Sequence, residues 1–255
     1  MPTSLVTGGT SGIGAAFARQ LAARGDDLVL VARDEARLEA SAAELRATYG
    51  VAVEVLPADL GDRDQVLRVA ARLTDPARPV DLLVNNAGFG VHHRLTDPDP
   101  TPHEHAIDVM VVAVLLLGGA AGRAMRERGH GAIVNVASTA GFMAMGSYSA
   151  IKAWAMTYSE SLANELAGTG VTVTALAPGW VRTEFHERAA IRTSSIPEPL
   201  WLDADRLVAE CLADVAAGKV VSIPSKRYRV LMAAVRLAPR SAVRAASRRL
   251  SSSRH

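Results

Sequence analysis

The sequence predicts a three-layer, doubly wound α/β domain. Three observations carry that expectation: short apolar runs recur along the chain, helical stretches separate them, and a glycine-rich turn follows the first run. The apolar runs occupy residues 5–7, 27–31, 51–56, 80–84, 132–136, 171–175 and 220–223. They are rich in Val, Leu and Ile with little polar alternation, as strands are when helices cover both faces of a parallel sheet. The first intervening segments, 13–24, 36–48 and 63–73, are amphipathic and long enough to cross back over such a sheet. Right-handed crossovers then make the doubly wound topology the simplest one.

Residues 104–128 read as a longer helix continuing the pattern. Its middle, 109–117, is apolar on every side, more than packing one face onto a sheet requires, which predicts burial of the second face at a subunit interface. The run is too short and too closely flanked by polar groups for a good membrane span. Residues 147–166 form a second candidate interface helix, so a homodimer or homotetramer is expected.

With 255 residues and 49% hydrophobic content, the chain can bury one large core. The expected division is a single domain over 1–225, with an irregular substrate-side segment at 184–202, and a basic C-terminal tail over 226–255. The N-terminus has no basic region followed by a long apolar run, so a cytoplasmic location is expected. A single cysteine, Cys211, excludes an internal disulfide, and the seven histidines lack the cysteine cluster or HExxH spacing of a zinc site, so no metal is expected. The net charge of +2 conceals an asymmetry: from Lys219 onward there are ten Lys/Arg and no Asp or Glu, which leaves −8 on the first 218 residues. Such a tail suits contact with an anionic surface, the alternatives being a solvated or docked terminus. Arg236, Arg240, Arg244 and Arg248 would form a helical stripe, interrupted near its start by Pro239.

Directly after the first strand stands Thr7-Gly8-Gly9-Thr10-Ser11-Gly12-Ile13-Gly14. Glycines at Gly8, Gly12 and Gly14 allow tight turning and close approach to a pyrophosphate, and the helix that follows offers unpaired N–H groups and a positive dipole end. Thr10, Ser11 and Ile13 complete this candidate dinucleotide loop. After the second strand, where a carboxylate would bind an adenosine ribose, the chain has Arg33, suited to a 2′-phosphate. NADP(H) is therefore favoured, with NAD(H) the alternative. The neighbouring Asp34 opposes that preference, and Arg33 is otherwise a solvated surface residue. Asp59 and Leu60 follow the third strand; Asp59 is placed to accept from an adenine amine or, alternatively, to cap the next helix. Asn85-Asn86-Ala87-Gly88 closes the fourth strand, where Asn86, Ala87 and Gly88 can run beside the ribose and Asn85 can brace adjacent strands.

Ser138 follows the fifth strand, and Tyr148 and Lys152, four apart, share one face of the next helix. A phenol exchanges protons usefully near neutrality only if its anion is stabilised, which Lys152 can do while reaching the nicotinamide ribose. Ser138 can donate to an oxygen that gains charge. After the sixth strand, Pro178-Gly179-Trp180-Val181-Arg182-Thr183 supplies a tight turn, with Pro178, Gly179 and Val181 beside the nicotinamide and Thr183 within reach of its carboxamide or of phosphate; an ordinary strand-to-loop turn is the alternative. Phe142, Met143, Met145, Phe185 and Trp201 are candidates for an apolar pocket or for ordinary packing, and His186 and Arg188 read as surface residues.

Together these residues resemble the short-chain dehydrogenase/reductase family, over about residues 4–225. The glycine turn, Asp59, the Asn85–Gly88 run and Tyr148-x-x-x-Lys152 carry the resemblance. It implies a Rossmann fold with a mainly parallel seven-stranded sheet, hydride transfer between nicotinamide and a small-molecule carbonyl or alcohol, and dimers or tetramers joined by the two long helices. It further implies that Tyr148 protonates the carbonyl oxygen, Lys152 lowers the phenol's pKa and Ser138 positions the substrate.

Two departures from the family stand out. Met110 occupies the place, 28 residues before Ser138, where members usually carry an asparagine that holds a proton-relaying water; a thioether donates nothing. The ten-residue interval from Ser138 to Tyr148 is shorter than the usual thirteen, which alters the pocket wall. The leading expectation is an NADP(H)-preferring oxidoreductase for an apolar ketone or its alcohol. The alternative, motivated by Met110, is a catalytically impaired dinucleotide-binding sensor or assembly protein.

Overall fold

The computed structural model describes residues 1–91, 93–183 and 197–252. Seven parallel strands form the central sheet: β1 (Thr3–Thr7), β2 (Asp27–Ala32), β3 (Val53–Pro57), β4 (Leu82–Asn85), β5 (Gly131–Val136), β6 (Val171–Leu176) and β9 (Val221–Ser222). Their order is β3-β2-β1-β4-β5-β6-β9, so the direction of winding reverses between β1 and β4. In open α/β sheets a crevice opens at that reversal, beyond the carboxyl ends of the strands. A separate parallel pair, β7 (Trp180–Val181) with β8 (Trp201–Leu202), lies on the substrate side.

Side chains alternate across each strand and create the two cores. Leu5, Val29, Val31, Leu83 and Ile133 point to one face with Met110, Leu117 and Met125. Val6, Leu28, Leu30, Val84 and Val134 point to the other, against Phe17, Leu21, Leu38 and Leu207. The first face is covered by α3 (Arg63–Leu73), α5 (Ala113–Arg128) and α6 (Gly146–Glu165), the second by α1 (Gly12–Ala23), α2 (Glu35–Tyr49) and α7 (Ala204–Ala216). Each fully buried Leu, Val or Phe contributes about 1.5–3 kcal/mol, so near-continuous apolar strands strongly favour this sandwich. Between β4 and β5 the core admits one polar chain: Asn85 donates to Asn135 at 2.9 Å, and Asn135 donates to Ser159 at 3.0 Å.

The long helix predicted over 104–128 is present but irregular: α4 (Thr101–Ile107) passes through a π-helical turn at Asp108–Val112 into α5. The helix runs for 28 residues and holds an 18-residue window of mean hydropathy 1.9, so it is long and apolar enough to cross a membrane, more than the sequence reading allowed, yet over half of that window is buried inside the fold. Ile107 and Leu115 remain exposed on its outer side.

Residues beyond β9 form two further helices, α8 (Lys226–Leu237) and α9 (Arg240–Ser252), with Pro239 between them. They pack on the body through Tyr228, Met232, Val243 and Ser247, all buried. The basic stripe is therefore divided, Arg236 lying on α8 and Arg240, Arg244 and Arg248 on α9. Cys211 is buried in α7, and burial pushes its thiol up to about 12, which leaves it unreactive.

Candidate active site

The glycine turn lies at the reversal of strand order. Asn86 holds it there: its side-chain amide donates to the carbonyls of Thr7 at 2.9 Å and Gly8 at 3.2 Å, while Asn86 and Ala87 donate their backbone N–H groups to Thr7 Oγ1. Gly8 has φ +66°, and a Cβ on Gly14 would collide with the Gly8 carbonyl, so this packing of turn against helix admits glycine only. Three helices, α2, α3 and α7, begin under an aspartate that accepts from their first amides. At helix α1 the N-cap residue Ser11 makes no side-chain cap hydrogen bond, and the first turn holds no acid. A helix start of this kind behind a glycine cradle is suited to a pyrophosphate. Thr183 closes the cradle from the far side, 3.3 Å from where a Cβ on Gly12 would stand.

The flanking positions resolve several alternatives left open by the sequence. Asp34 is the N-cap of α2 and accepts from the Arg37 amide at 3.0 Å, so its carboxylate is turned to the helix. Arg33 is exposed at the end of β2. Arg37, which the sequence reading missed, reaches toward the Thr10 carbonyl at 3.4 Å, although its place one helical turn beyond Arg33 was a signal. Asp59 does not cap α3; Asp62 does, accepting from Asp64 and Gln65. Asp59 instead accepts from the Gly61 amide at 2.9 Å. Leu60 and Val181 are buried in the cores, which leaves only their backbones for a ligand, and Ile13 packs half-buried beside the loop.

Across the crevice, Ser138 ends the β5 segment and starts a short 3₁₀ turn (Thr139–Phe142) by accepting from the Ala140 amide at 3.1 Å. Its hydroxyl also bonds the Tyr148 phenol. Burial pushes that phenol up to about 12 against the lowering effect of Ser138. Lys152, 6% exposed, lies 5.6 Å from the Tyr148 ring centroid and donates to the Val136 carbonyl at 2.8 Å. Burial lowers its ammonium to about 8. The three predicted groups are thus brought together at the carboxyl end of β5.

Met110, 2% exposed, stands beside them within the π-helical turn. A Cβ on Gly88 would come 2.9 Å from Met110 Sδ and 3.7 Å from Lys152 Nζ, so thioether, glycine and ammonium share one small space. The helix deformation persists without an asparagine, and the lysine is anchored on a strand carbonyl instead.

The remaining wall comes from distant segments. Thr139 donates its amide at 2.9 Å and its hydroxyl at 3.1 Å to the Pro178 carbonyl, linking the serine turn to the Pro178–Thr183 turn. Gly179 lies under the Tyr228 ring so closely that a Cβ would fall within it. Trp201 packs against Trp180 and under the Arg182 guanidinium, which also pairs with Glu198. Phe142 lies beneath Arg236 of α8, and Ala144 donates its amide to Ser247 of α9 at 3.0 Å. Phe185, His186 and Arg188 lie outside the described residues. Among the described residues no cluster of potential metal ligands occurs.

A glycine cradle at the strand-order reversal, facing a half-buried phenol and a buried ammonium, places the chain in the class of nicotinamide-dependent oxidoreductases. Comparison with known proteins narrows the class. The family model described as short chain dehydrogenase matches residues 2–192, and the chain belongs to that family. It is 41% identical over 195 residues to a putative ketoacyl reductase of the monensin polyketide synthase from Streptomyces virginiae, covering 72% of each chain. It is 38% identical over 205 residues to galactitol 2-dehydrogenase (L-tagatose-forming) from Cereibacter sphaeroides, covering 78% of each. A short-chain dehydrogenase from Sphingobium yanoikuyae in complex with NADPH superposes with a TM-score of 0.84 at 38% identity, over 92% of this chain and 94% of that one. The chain is an NAD(P)-dependent oxidoreductase acting on carbonyl or alcohol groups.

Proposed function

We propose that the protein reduces apolar ketones, or oxidises the corresponding secondary alcohols, with NADP(H) as coenzyme. The observation that carries this reading is the Ser138–Tyr148–Lys152 group, brought together at the carboxyl end of β5 with Lys152 buried and Ser138 and Tyr148 half-buried, opposite the N-terminus of α1. Support for NADP(H) comes from the NADPH-bound Sphingobium relative and from Arg33 at the end of β2 and Arg37 in the first turn of α2, with Asp34 withdrawn as a helix cap. Two guanidiniums beside the glycine cradle suit a 2′-phosphate. Support for an apolar substrate comes from Phe142, Trp180 and Trp201 around the serine and proline turns.

Bound NADP(H) supplies or accepts the hydride. Ser138 and Tyr148 together hold the substrate oxygen, Ser138 as hydrogen-bond donor and Tyr148 as the acid that gives its proton when negative charge develops there. A phenol held near 12 is a poor acid alone; the neighbouring Lys152 ammonium stabilises the phenolate that forms. In the oxidative direction the same phenolate removes the hydroxyl proton. The exposed Ile107 and Leu115, with Trp154 stacked on Tyr158 at 4.8 Å, support a homo-oligomer joined through α4–α5 and α6, and the basic C-terminal helices support contact with an anionic surface.

The test is consumption of NADPH and NADH over a panel of ketones, run beside Tyr148→Phe. Turnover that prefers NADPH and falls by about 10²–10⁴ without the phenol establishes the reading. Turnover equal in the two proteins overturns the assigned acid. Met110 beside Lys152 favours a second reading, an impaired coenzyme-binding protein, which requires tight NADPH binding without turnover on any ketone.

A further inference from the structure

The C-terminal helices have an outer face that the candidate active site leaves unexplained. Helix α8 turns Tyr228 and Met232 inward, and the opposite side carries Val230 at 71% exposure, Ala233 and Leu237 at 88%. These lie at i, i+3 and i+7, so they form one ridge along the helix. Lys226 continues the ridge toward the N-terminus, and Arg229 flanks it. On α9, which turns Val243 and Ser247 inward, the exposed cations are Arg240, Arg244 and Arg248. None of these five cations has an acidic partner among the described residues, and no acid follows Asp214 in the sequence.

We infer that this face docks the enzyme on an anionic phospholipid surface, with the Val230–Leu237 ridge entering the headgroup region and the surrounding arginines and lysine meeting lipid phosphates. An apolar ridge flanked by cations is the pattern of an interfacial helix. A nucleic acid would reward the cations and leave Val230 and Leu237 without a role. The charge asymmetry orients the contact: the first 218 residues carry −8 and are repelled by such a surface, whereas the segment from Lys219 carries ten cations.

The inner faces of the same helices build the wall of the candidate site, through Tyr228 on Gly179, Arg236 on Phe142 and Ser247 on Ala144. Docking therefore brings this wall to the lipid. Apolar ketones dissolved in the bilayer would then enter from the membrane side; that consequence rests on the reading of the substrate given above.

The experiment is sedimentation of the full chain with vesicles of phosphatidylcholine alone and of phosphatidylcholine mixed with phosphatidylglycerol. Binding is expected to the mixed vesicles only and is lost in about 1 M salt, where screening acts within about 3 Å. A Val230→Ser, Leu237→Ser double variant and an Arg229→Gln, Arg240→Gln, Arg244→Gln triple variant should each weaken it about tenfold or more. Their melting temperature and turnover of a water-soluble ketone should stay unchanged, because these side chains face outward. Equal binding to both vesicle types, or none to either, overturns the inference. So does binding that survives the apolar double variant, and so does duplex DNA held more tightly than the mixed vesicles. Vesicle binding is read without coenzyme or turnover: a chain that turns over ketones but ignores vesicles loses this inference alone, and one that binds vesicles but turns over nothing loses only the proposed reaction.

Discussion

The Tyr228 ring covers Gly179 without room for a methyl group, and its hydroxyl accepts from the Trp180 amide at 3.1 Å while donating to the Leu200 carbonyl at 2.8 Å. One phenol on the C-terminal helix pair thereby clasps both the Pro178–Gly179 turn and the strand pair β7–β8. Tyr228→Phe keeps the ring and deprives two backbone groups of their partner. It should cost about 1–3 kcal/mol in urea unfolding and raise KM for the ketone more than Kd for NADPH. An unchanged KM would show that the clasp is structural only.

The buried Lys152 makes a prediction about stability and pH. Its folded-state value of about 8 lies below the ordinary 10.5, so between those values the unfolded chain binds a proton that the folded chain lacks. The penalty is absent above 10.5, develops as pH falls toward 8 and is complete below 8. Removing it with Lys152→Met gains up to about 3 kcal/mol by the shift, and losing the ammonium's hydrogen bond to Val136 costs about 1.5–3 kcal/mol. The variant should thus be up to about 1.5 kcal/mol more stable at pH 7 and inactive. The gain should disappear toward pH 10.5 in a series of urea midpoints, and a variant less stable at pH 7 would refute the burial argument.

Met110→Asn tests the consequence of the thioether beside Lys152. An amide there can hold a water against the ammonium, which Met110 cannot. Turnover should rise about tenfold or more if proton supply limits it, with NADPH affinity unchanged. Intact coenzyme binding with no gain would show that protons reach Tyr148 by another path.

Arg33 and Arg37 should act on one coenzyme. Arg33→Ala and Arg37→Ala are each expected to weaken NADPH binding by about 1.5–3 kcal/mol, the range for a hydrogen bond to a charged group, and NADH binding by much less. Titration by nicotinamide fluorescence separates the two coenzymes. Equal losses for both would remove the assigned 2′-phosphate contact.

What the sequence determined by itself was whatever depends on residues close together along the chain. The apolar runs located every strand of the seven-stranded sheet to within a few residues, the glycine turn located the cradle, and the helical period placed Tyr148 and Lys152 on one face. Only the tertiary structure decided which partners those groups acquire. It turned Asp34 into a cap, gave the α3 cap to Asp62 in place of Asp59, anchored Lys152 on Val136 and brought Arg37 to Thr10. It also folded the basic C-terminal segment onto the wall of the candidate site, with Tyr228 on the Trp180 amide and Ser247 on the Ala144 amide, separated in sequence by 48 and 103 residues from the backbone they hold. The physical reason is that backbone preference and hydrophobic period act within a turn or a strand, whereas a side chain's hydrogen-bond partner is settled by the packing of segments far apart, for which no local pattern exists.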